Sequence, residues 1–408
     1  MSTVIKAPLA RILIVYGLGV GAAMCVSEAV TELGRIAAEF HPPSHSVIGW
    51  VMSMPSLVVA LGALVAGYFV DRIGDRPILF LGAVVMIIGD LLVIASPTLN
   101  LLLAARALTG VGYVLAAVAA ITALIRLTAA QQRTMALALW STFVPMSFLL
   151  PFLSAGLAEH FGTWRAAFGF HALLLAVLLA LACLAIPPRG SAEFSDRSRG
   201  AGRVLRSPMV YLLGLAFAGD SFLQAGVLAT LGHYLGAKYQ VAETAVAHLS
   251  SVAMVFNALA CLSVGLMLRR GVTSRAVTTM GIAITGAAGV ALYLADPGFM
   301  GSLVLVWVLM FGSGLLVGMW TLVPFTAPSP DTIGATSGLV TQLVLFGVLL
   351  GPPAFFAAQA ASGPMPVTLL FLAAVAVCAL RYPVCRLADR QPVGAHTEPL
   401  RRWAEAGQ

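Results

Sequence analysis

Apolar runs of about twenty residues, broken by short polar interruptions, occupy most of the chain. At about 1.5 Å of rise per residue, each run is long enough to cross about 30 Å of hydrocarbon as a helix. Six runs lie near residues 12–34, 47–70, 77–96, 99–123, 134–158 and 165–186. Six more follow near 208–235, 245–268, 276–295, 300–323, 333–357 and 366–387. The pattern predicts an all-α polytopic membrane protein with twelve transmembrane helices, built as two six-helix halves at 1–186 and 208–387. Residues 187–207 between them are rich in Pro, Gly, Ser and charge, as a solvated linker should be. Residues 388–408 read as a polar tail, and no interval between runs is long enough for a soluble domain. The first run follows Lys6 and Arg11, as in a signal peptide. Cleavage would leave eleven spans and disturb the charge asymmetry described next, so an uncleaved anchor is expected.

Composition sharpens this reading. Hydrophobic residues make up 60% of the chain and charged residues only 10%, against about a quarter charged in soluble proteins. With the N-terminus inside, cytoplasmic loops and tails receive 19 of the 23 Lys and Arg residues. The outer loops keep Arg35, Arg165 and Lys238, and Arg106 falls within a span. The positive-inside rule therefore predicts an N-in, C-in topology. The net charge of +7 reports that topology and contact with anionic headgroups of the bilayer, not binding to nucleic acid. The cysteines at 25, 183, 261, 378 and 385 lack metal spacing and read as small packing residues.

One charged hinge stands out between the second and third runs: Gly67-Tyr-Phe-Val-Asp71-Arg72-Ile-Gly74-Asp75-Arg76. It resembles the loop 2–3 signature of the major facilitator superfamily, Gly-x-x-x-Asp-Arg-x-Gly-Arg-(Arg/Lys), with Asp75 where Arg is usual. An offset of 198 residues pairs Leu33-Gly34 with Leu231-Gly232, Gly67 with Gly265 and Arg72 with Arg270, as expected of a duplicated six-helix unit. The fourth run carries a second resemblance to that family, Arg106-Ala-Leu-Thr-Gly110-Val-Gly112. Gly351-Pro352-Pro353 and Gln342 in the eleventh run also fit its usual pattern. The resemblance implies parallel halves around a central pathway, alternating access and a monomeric carrier in a cell membrane, bacterial inner membranes being the expected setting.

Candidate functional residues follow from charge placed inside lipid. Arg106 is costly there, about 2.5–3.5 kcal/mol on insertion scales, so it needs a partner. Asp90 lies at a similar depth on the neighbouring span, and an Asp90–Arg106 ion pair is expected. That pair is either a static staple or part of a unit that also reaches Glu28 in span 1. Glu28 and Asp220 are the expected proton-coupling residues, because a buried carboxyl can load and release a proton. The resemblance implies that spans 1, 4, 7 and 10 border the central cavity, which brings in Arg106, with Gln224, Asn257 and Gln342 as further polar candidates. At the hinge, Gly67, Asp71, Arg72, Gly74 and Arg76 are the expected cytoplasmic gate. Asp71 ends its own helix, where the macrodipole disfavours an anion. It therefore needs either the N-terminus of another helix or a nearby Arg. The resemblance implies a helix of the opposite half, for which the start of span 11, near Thr332–Thr336, is the candidate. His171, His233 and His248 read as hydrogen-bonded packing residues, and Trp140, Trp307 and Trp320 as gap fillers or interface markers.

The chain lacks a nucleotide-binding Gly-Lys-(Ser/Thr) loop, zinc spacing and a nucleophile elbow. Neither a cofactor nor enzymatic chemistry is expected, and energy must come from an ion gradient or the solute's own gradient. Within transport, two readings remain: proton-driven export of a small organic compound, such as a drug or siderophore, and proton-coupled uptake of a small organic anion. The exporters' Gly-x-x-x-Gly-Pro-x-x-Gly-Gly signature is reduced here to Pro145. Even so, Arg106 beside acidic neighbours tips the balance towards export. A non-transporting receptor or scaffold is the alternative of another class.

Overall fold

The computed structural model describes residues 8–29, 32–41, 45–128, 130–147, 160–186, 200–241, 243–361 and 363–390. All regular structure among them is helical. The first half contains α1 (Leu9–Ser27), α2 (Leu33–Phe40), α3 (His45–Ile73), α4 (Asp75–Ala95), α5 (Leu99–Leu127), α6 (Ala130–Trp140) and α7 (Arg165–Ala185). A short α8 (Gly200–Leu205) leads into the second half. There follow α9 (Pro208–Tyr239), α10 (Glu243–Arg269), α11 (Ser274–Leu294), α12 (Gly298–Val317), α13 (Val323–Thr326), α14 (Ile333–Ala360), α15 (Met365–Cys378) and α16 (Tyr382–Arg390). Eleven helical segments among the described residues are long and apolar enough to span a membrane. The remaining expected run, 134–158, begins in α6, while residues 148–159 lie outside the described residues.

Two expected boundaries move. The first apolar run predicts one helix over 12–34, yet α1 stops at Ser27 with Glu28 as its cap, and a separate short helix begins at Leu33. The last run extends beyond 387 through a 3₁₀ turn, Ala379–Arg381, into α16. Residues 187–199 of the linker and the tail beyond Arg390 lie outside the described residues.

The halves meet along two helix crossings, α3 with α14 and α10 with α6. Both crossings depend on absent side chains. A Cβ on Gly334 would lie 2.7 Å from the Gly67 carbonyl, and one on Gly338 would run into the Ala63 carbonyl. At the other crossing a Cβ on Gly265 would lie 2.7 Å from that of Ala138. Gly67 and Gly265, separated by 198 residues in sequence, thus each mark one crossing. Gly74 caps the start of α4 at φ 112°, a left-handed conformation that side-chain-bearing residues resist. α14 packs lengthwise on α9, with Gly347 against Ala218 and Gly351 against Phe222, and keeps Pro352 and Pro353 within the helix.

Gly338→Ala should force α3 and α14 apart and destabilise the detergent-solubilised protein by about 1–3 kcal/mol, the usual cost of overpacking. Gly169→Ala, whose Cβ would have 3.9 Å to its nearest neighbour, should leave the melting temperature unchanged.

Candidate functional site

A fully buried charge cluster occupies the first half, where α1, α4, α5 and α7 converge. Arg106 on α5 donates from Nη1 to Glu28 Oε1 at 2.7 Å, and from Nε to the Val51 carbonyl at 2.8 Å. Its Nη2 meets the Cys25 carbonyl, one of the carbonyls left without an intrahelical donor where α1 ends. The negative end of the α1 dipole therefore draws the guanidinium across the bundle. The Phe168 ring lies 5.3 Å from the guanidinium carbon.

The ion pair expected between Asp90 and Arg106 is not the one formed. Arg106 takes Glu28, because α1 ends beside it and offers carbonyls as well as a carboxylate. Asp90 instead faces His171 on α7, with Oδ2 2.8 Å from Nδ1. The same Nδ1 lies 2.9 Å from Glu28 Oε2. His171, read from sequence as a packing residue, is thus the hub between two carboxylates. Its sole sequence signal was a polar ring in an otherwise apolar span. His171, Glu28, Asp90 and Arg106 are all 0% exposed.

The second half holds a different arrangement. Asp220 on α9 accepts from Ser313 Oγ at 2.9 Å through Oδ1, and Gln224 Nε2 donates to the same Ser313 oxygen at 3.2 Å. Asp220 Oδ2 is buried without a hydrogen-bond partner. Arg381, which the charge count placed on the cytoplasmic side, is in fact 0% exposed. It donates to the carbonyls of Cys378 (3.1 Å), Leu316 (2.7 Å) and Ala216 (2.9 Å). Cys378 and Leu316 lie where α15 and α12 give way to 3₁₀ turns, so this arginine also answers helix-end carbonyls. Ala216 precedes Asp220 by one helical turn. Asn257 donates to the Met310 carbonyl at 3.0 Å, and Gln342 accepts from the Leu64 amide at 3.3 Å. Both amides are thus engaged in helix-to-helix contacts.

At the hinge, Asp71 accepts the Gly334 and Ala335 amides at 2.8 and 2.7 Å, at the N-terminus of α14. Arg126 on α5 is the arginine partner, unnamed from sequence: it pairs with Asp71 at 2.7 Å and lies 3.9 Å from Asp75. Asp75 opens α4, where a carboxylate suits the positive end of the dipole. Arg72 turns away to the Tyr68 hydroxyl (2.9 Å), and Arg76 lies over Phe80 at 4.8 Å. The hinge cations therefore do not share one contact. Asp389 repeats the capping device on α11, accepting the Ser274 amide at 2.7 Å.

At the opposite end, Glu39 ties α2 to α7. It takes two hydrogen bonds from Arg165 (2.7 and 2.8 Å) and one from Trp164 Nε1 (2.7 Å). Those bonds, the Arg165 pair foremost, hold the Glu39 carboxyl below its usual range. His233 lines a cleft of about 620 Å³ there with Tyr234, Lys238, Phe356 and Gln359. The side chain of His248 lies outside the described residues. Trp140, Trp320 and Trp307 stack on Phe143, Phe217 and Phe256, with ring centroids 4.5, 5.0 and 5.7 Å apart. All five cysteines are free.

A family model described as Major Facilitator Superfamily matches residues 10–352. The multidrug efflux pump LfrA of Mycolicibacterium smegmatis is 35% identical over 172 residues, covering 41% of this chain and 32% of that protein. The arabinose-proton symporter of Escherichia coli is 31% identical over 159 residues, 38% of this chain and 33% of that protein. The matches thus span about a third of the length of these relatives. The proton:xylose symporter XylE superposes with a TM-score of 0.76 at 15% identity, over 92% of this chain and 95% of that one. At that identity the likeness shows the fold alone.

The Glu39 clamp carries a pH signature. Its folded carboxyl titrates below the unfolded value of about 4.3, so its contribution is complete above that value. It is lost as pH falls through the folded one. Glu39→Gln should lower stability by about 0.2–1 kcal/mol at pH 7, as for exposed ion pairs. The gap between the two melting temperatures should close as pH falls below about 4.

Proposed function

The chain belongs to the major facilitator superfamily of transporters, and on that premise we propose that it exports a small organic compound in exchange for protons, by alternating access. A drug or a secreted metabolite such as a siderophore is the substrate class. The carrier works as a monomer in a bacterial inner membrane.

The observation that carries this reading is the opposite occupancy of the two buried charges facing each half. Arg106 is buried with each of its three nitrogens already bonded to Glu28 or a main-chain carbonyl, an arrangement that disfavours its use for a substrate carboxylate. Asp220 keeps Oδ2 unpartnered and buried, an acceptor suited to a cationic or hydrogen-bond-donating solute. Similarity to the LfrA efflux pump supports export of such compounds. Similarity to the arabinose-proton symporter supports a second reading, proton-coupled uptake. Glu28 and Asp220 carry the coupling, and Gln224 shares the Ser313 contact on the Asp220 side. In this cycle Asp71 and the N-terminus of α14 latch the hinge end, with Arg126 holding Asp71 in place. Substrate enters or leaves there only when the latch parts.

The test is proton movement in proteoliposomes with a trapped pH dye, as cationic drugs, organic acids and chelators are added in separate pools. Export predicts protons moving opposite to the active solute. Movement with the solute would replace this reading by uptake. A hydrogen bond to a charged group contributes about 1.5–3 kcal/mol. Asp220→Asn should therefore weaken the response to a cationic solute by about ten- to a hundredfold, and Glu28→Gln should abolish solute-driven proton flux.

A further inference from the structure

His171 is fixed by its two nitrogens in a way that counts protons. Nε2 lies 2.8 Å from the Gly21 carbonyl. A carbonyl has no proton to give, so Nε2 must carry one and donate it. Nδ1 is then either a bare lone pair or a second N–H. It faces Glu28 Oε2 at 2.9 Å and Asp90 Oδ2 at 2.8 Å. A lone pair cannot rest in direct contact with two carboxylate oxygens at 2.8 and 2.9 Å when every group is 0% exposed.

We infer that Glu28, Asp90 and His171 form a single proton-binding site, in which one proton resides on His171 Nδ1 and is shared by carboxylates from α1 and α4. This deepens the proposed function, on which its consequence for transport rests: the coupling proton belongs to a unit of three residues and not to Glu28 alone. Binding forms one Nδ1–H bond and breaks none in the protein.

Charge counting separates this from a metal site. Glu28 and Asp90 carry two negative charges, and Arg106 supplies one positive. With a neutral imidazole the cluster stands at −1, and one proton brings it to zero. The donor atoms of Glu28, Asp90 and His171 lie within 4.8 Å of one another, close enough to hold an ion. A divalent cation would leave a buried +1 beside Arg106, however, and alkali and alkaline-earth ions prefer all-oxygen shells to an imidazole. The other groups around the cluster do not alter the count. α1 adds the Cys25 thiol, α5 adds the Tyr113 hydroxyl, and α3 contributes the Val51 carbonyl to Arg106. None of these brings a fixed charge.

The arrangement also explains how a proton could move helices. α1 and α4 meet the α7 ring through the same N–H. Removing the proton leaves two carboxylates against a bare nitrogen, so α1 and α4 are driven off it. Glu28 retains its hold on Arg106, and Asp90 retains nothing equivalent: neither of its oxygens has another hydrogen-bond partner. Departure of the proton should therefore act first on the α4–α7 contact.

The experiment is nitrogen NMR of ¹⁵N-histidine-labelled, full-length protein in lipid nanodiscs. His41, His45, His160, His233, His248 and His396 are each replaced by Gln, so that His171 alone reports. The expected result at neutral pH is an imidazolium with both nitrogens protonated. Glu28→Gln or Asp90→Asn each remove one negative charge and should convert it to the neutral Nε2–H form. A bare Nδ1 in the protein with both carboxylates intact would overturn the inference, as would an imidazolium indifferent to both substitutions. Broadening of the signal by micromolar Mn²⁺ would overturn it in favour of a metal site. Should either variant fail to fold, the first spectrum decides alone. The measurement needs no transport: flux without the imidazolium sinks this site alone, and the imidazolium without solute-coupled flux sinks the proposed function alone.

Discussion

A carboxylate or guanidinium taken out of water loses several kcal/mol of hydration, and a bundle whose outer face meets lipid can repay that only from within. The first half meets this constraint with four ionisable side chains from four helices. Their positions follow from one another. Arg106 needs more than a counterion, since a guanidinium has five donors. It finds Glu28, the carbonyl exposed by the end of α1, and the Val51 carbonyl of α3. Because Glu28 is drawn to Arg106 through Oε1, its second oxygen is left for His171. Because His171 is anchored by the Gly21 carbonyl, it presents Nδ1 to Asp90 as well. The end of α1 and the rotation of α7 are thus set by a charge balance, not by apolar packing alone.

The second half solves the same problem with dipoles. Arg381 is surrounded by main-chain carbonyls at the ends of α12 and α15 and on α9, with no carboxylate in salt-bridge contact among the described residues. Those carbonyls are available because both helices tighten into 3₁₀ turns where α-helical hydrogen bonds lapse. Asp220 can then stay on α9 with one oxygen on Ser313 and the other unclaimed. One half therefore holds its charges closed on themselves, and the other keeps an acceptor open. In the proposed cycle the first half handles protons alone, while Asp220 in the second half both takes part in coupling and meets the solute.

Between the halves the contacts are of another kind. At Gly67, Gly334, Gly338 and Gly265 backbone meets backbone or the Ala138 methyl, and the larger Met135 and Gln342 side chains reach across beside them. Such surfaces can separate and rejoin with little repacking. The Asp71 carboxylate supplies the directional component, since it accepts two amides at the start of α14 and has Arg126 behind it. Asp75, which departs from the usual family pattern, is accommodated by the α4 dipole and by the same arginine.

What the sequence determined by itself is what short-range physics determines. The lengths of the apolar runs follow from bilayer thickness. The need of Asp71 for a partner outside its own helix, a helix N-terminus or an arginine, follows from its place at the end of that helix, and it found both. The need of Arg106 for company follows from desolvation. Which company it kept could not be read, because depth along two adjacent spans favours Asp90 equally well. The choice fell to the point at which α1 stops, and that depends on a turn at Glu28 inside a run that looks continuous in hydropathy. His171 and Arg381 escaped for the same reason. An imidazole in an apolar span, or an arginine near a predicted helix end, has no local signal of what lies across the bundle. Only the tertiary structure brought residues 25, 28, 90, 106 and 171 to one place, where a charge count replaces a hydropathy count.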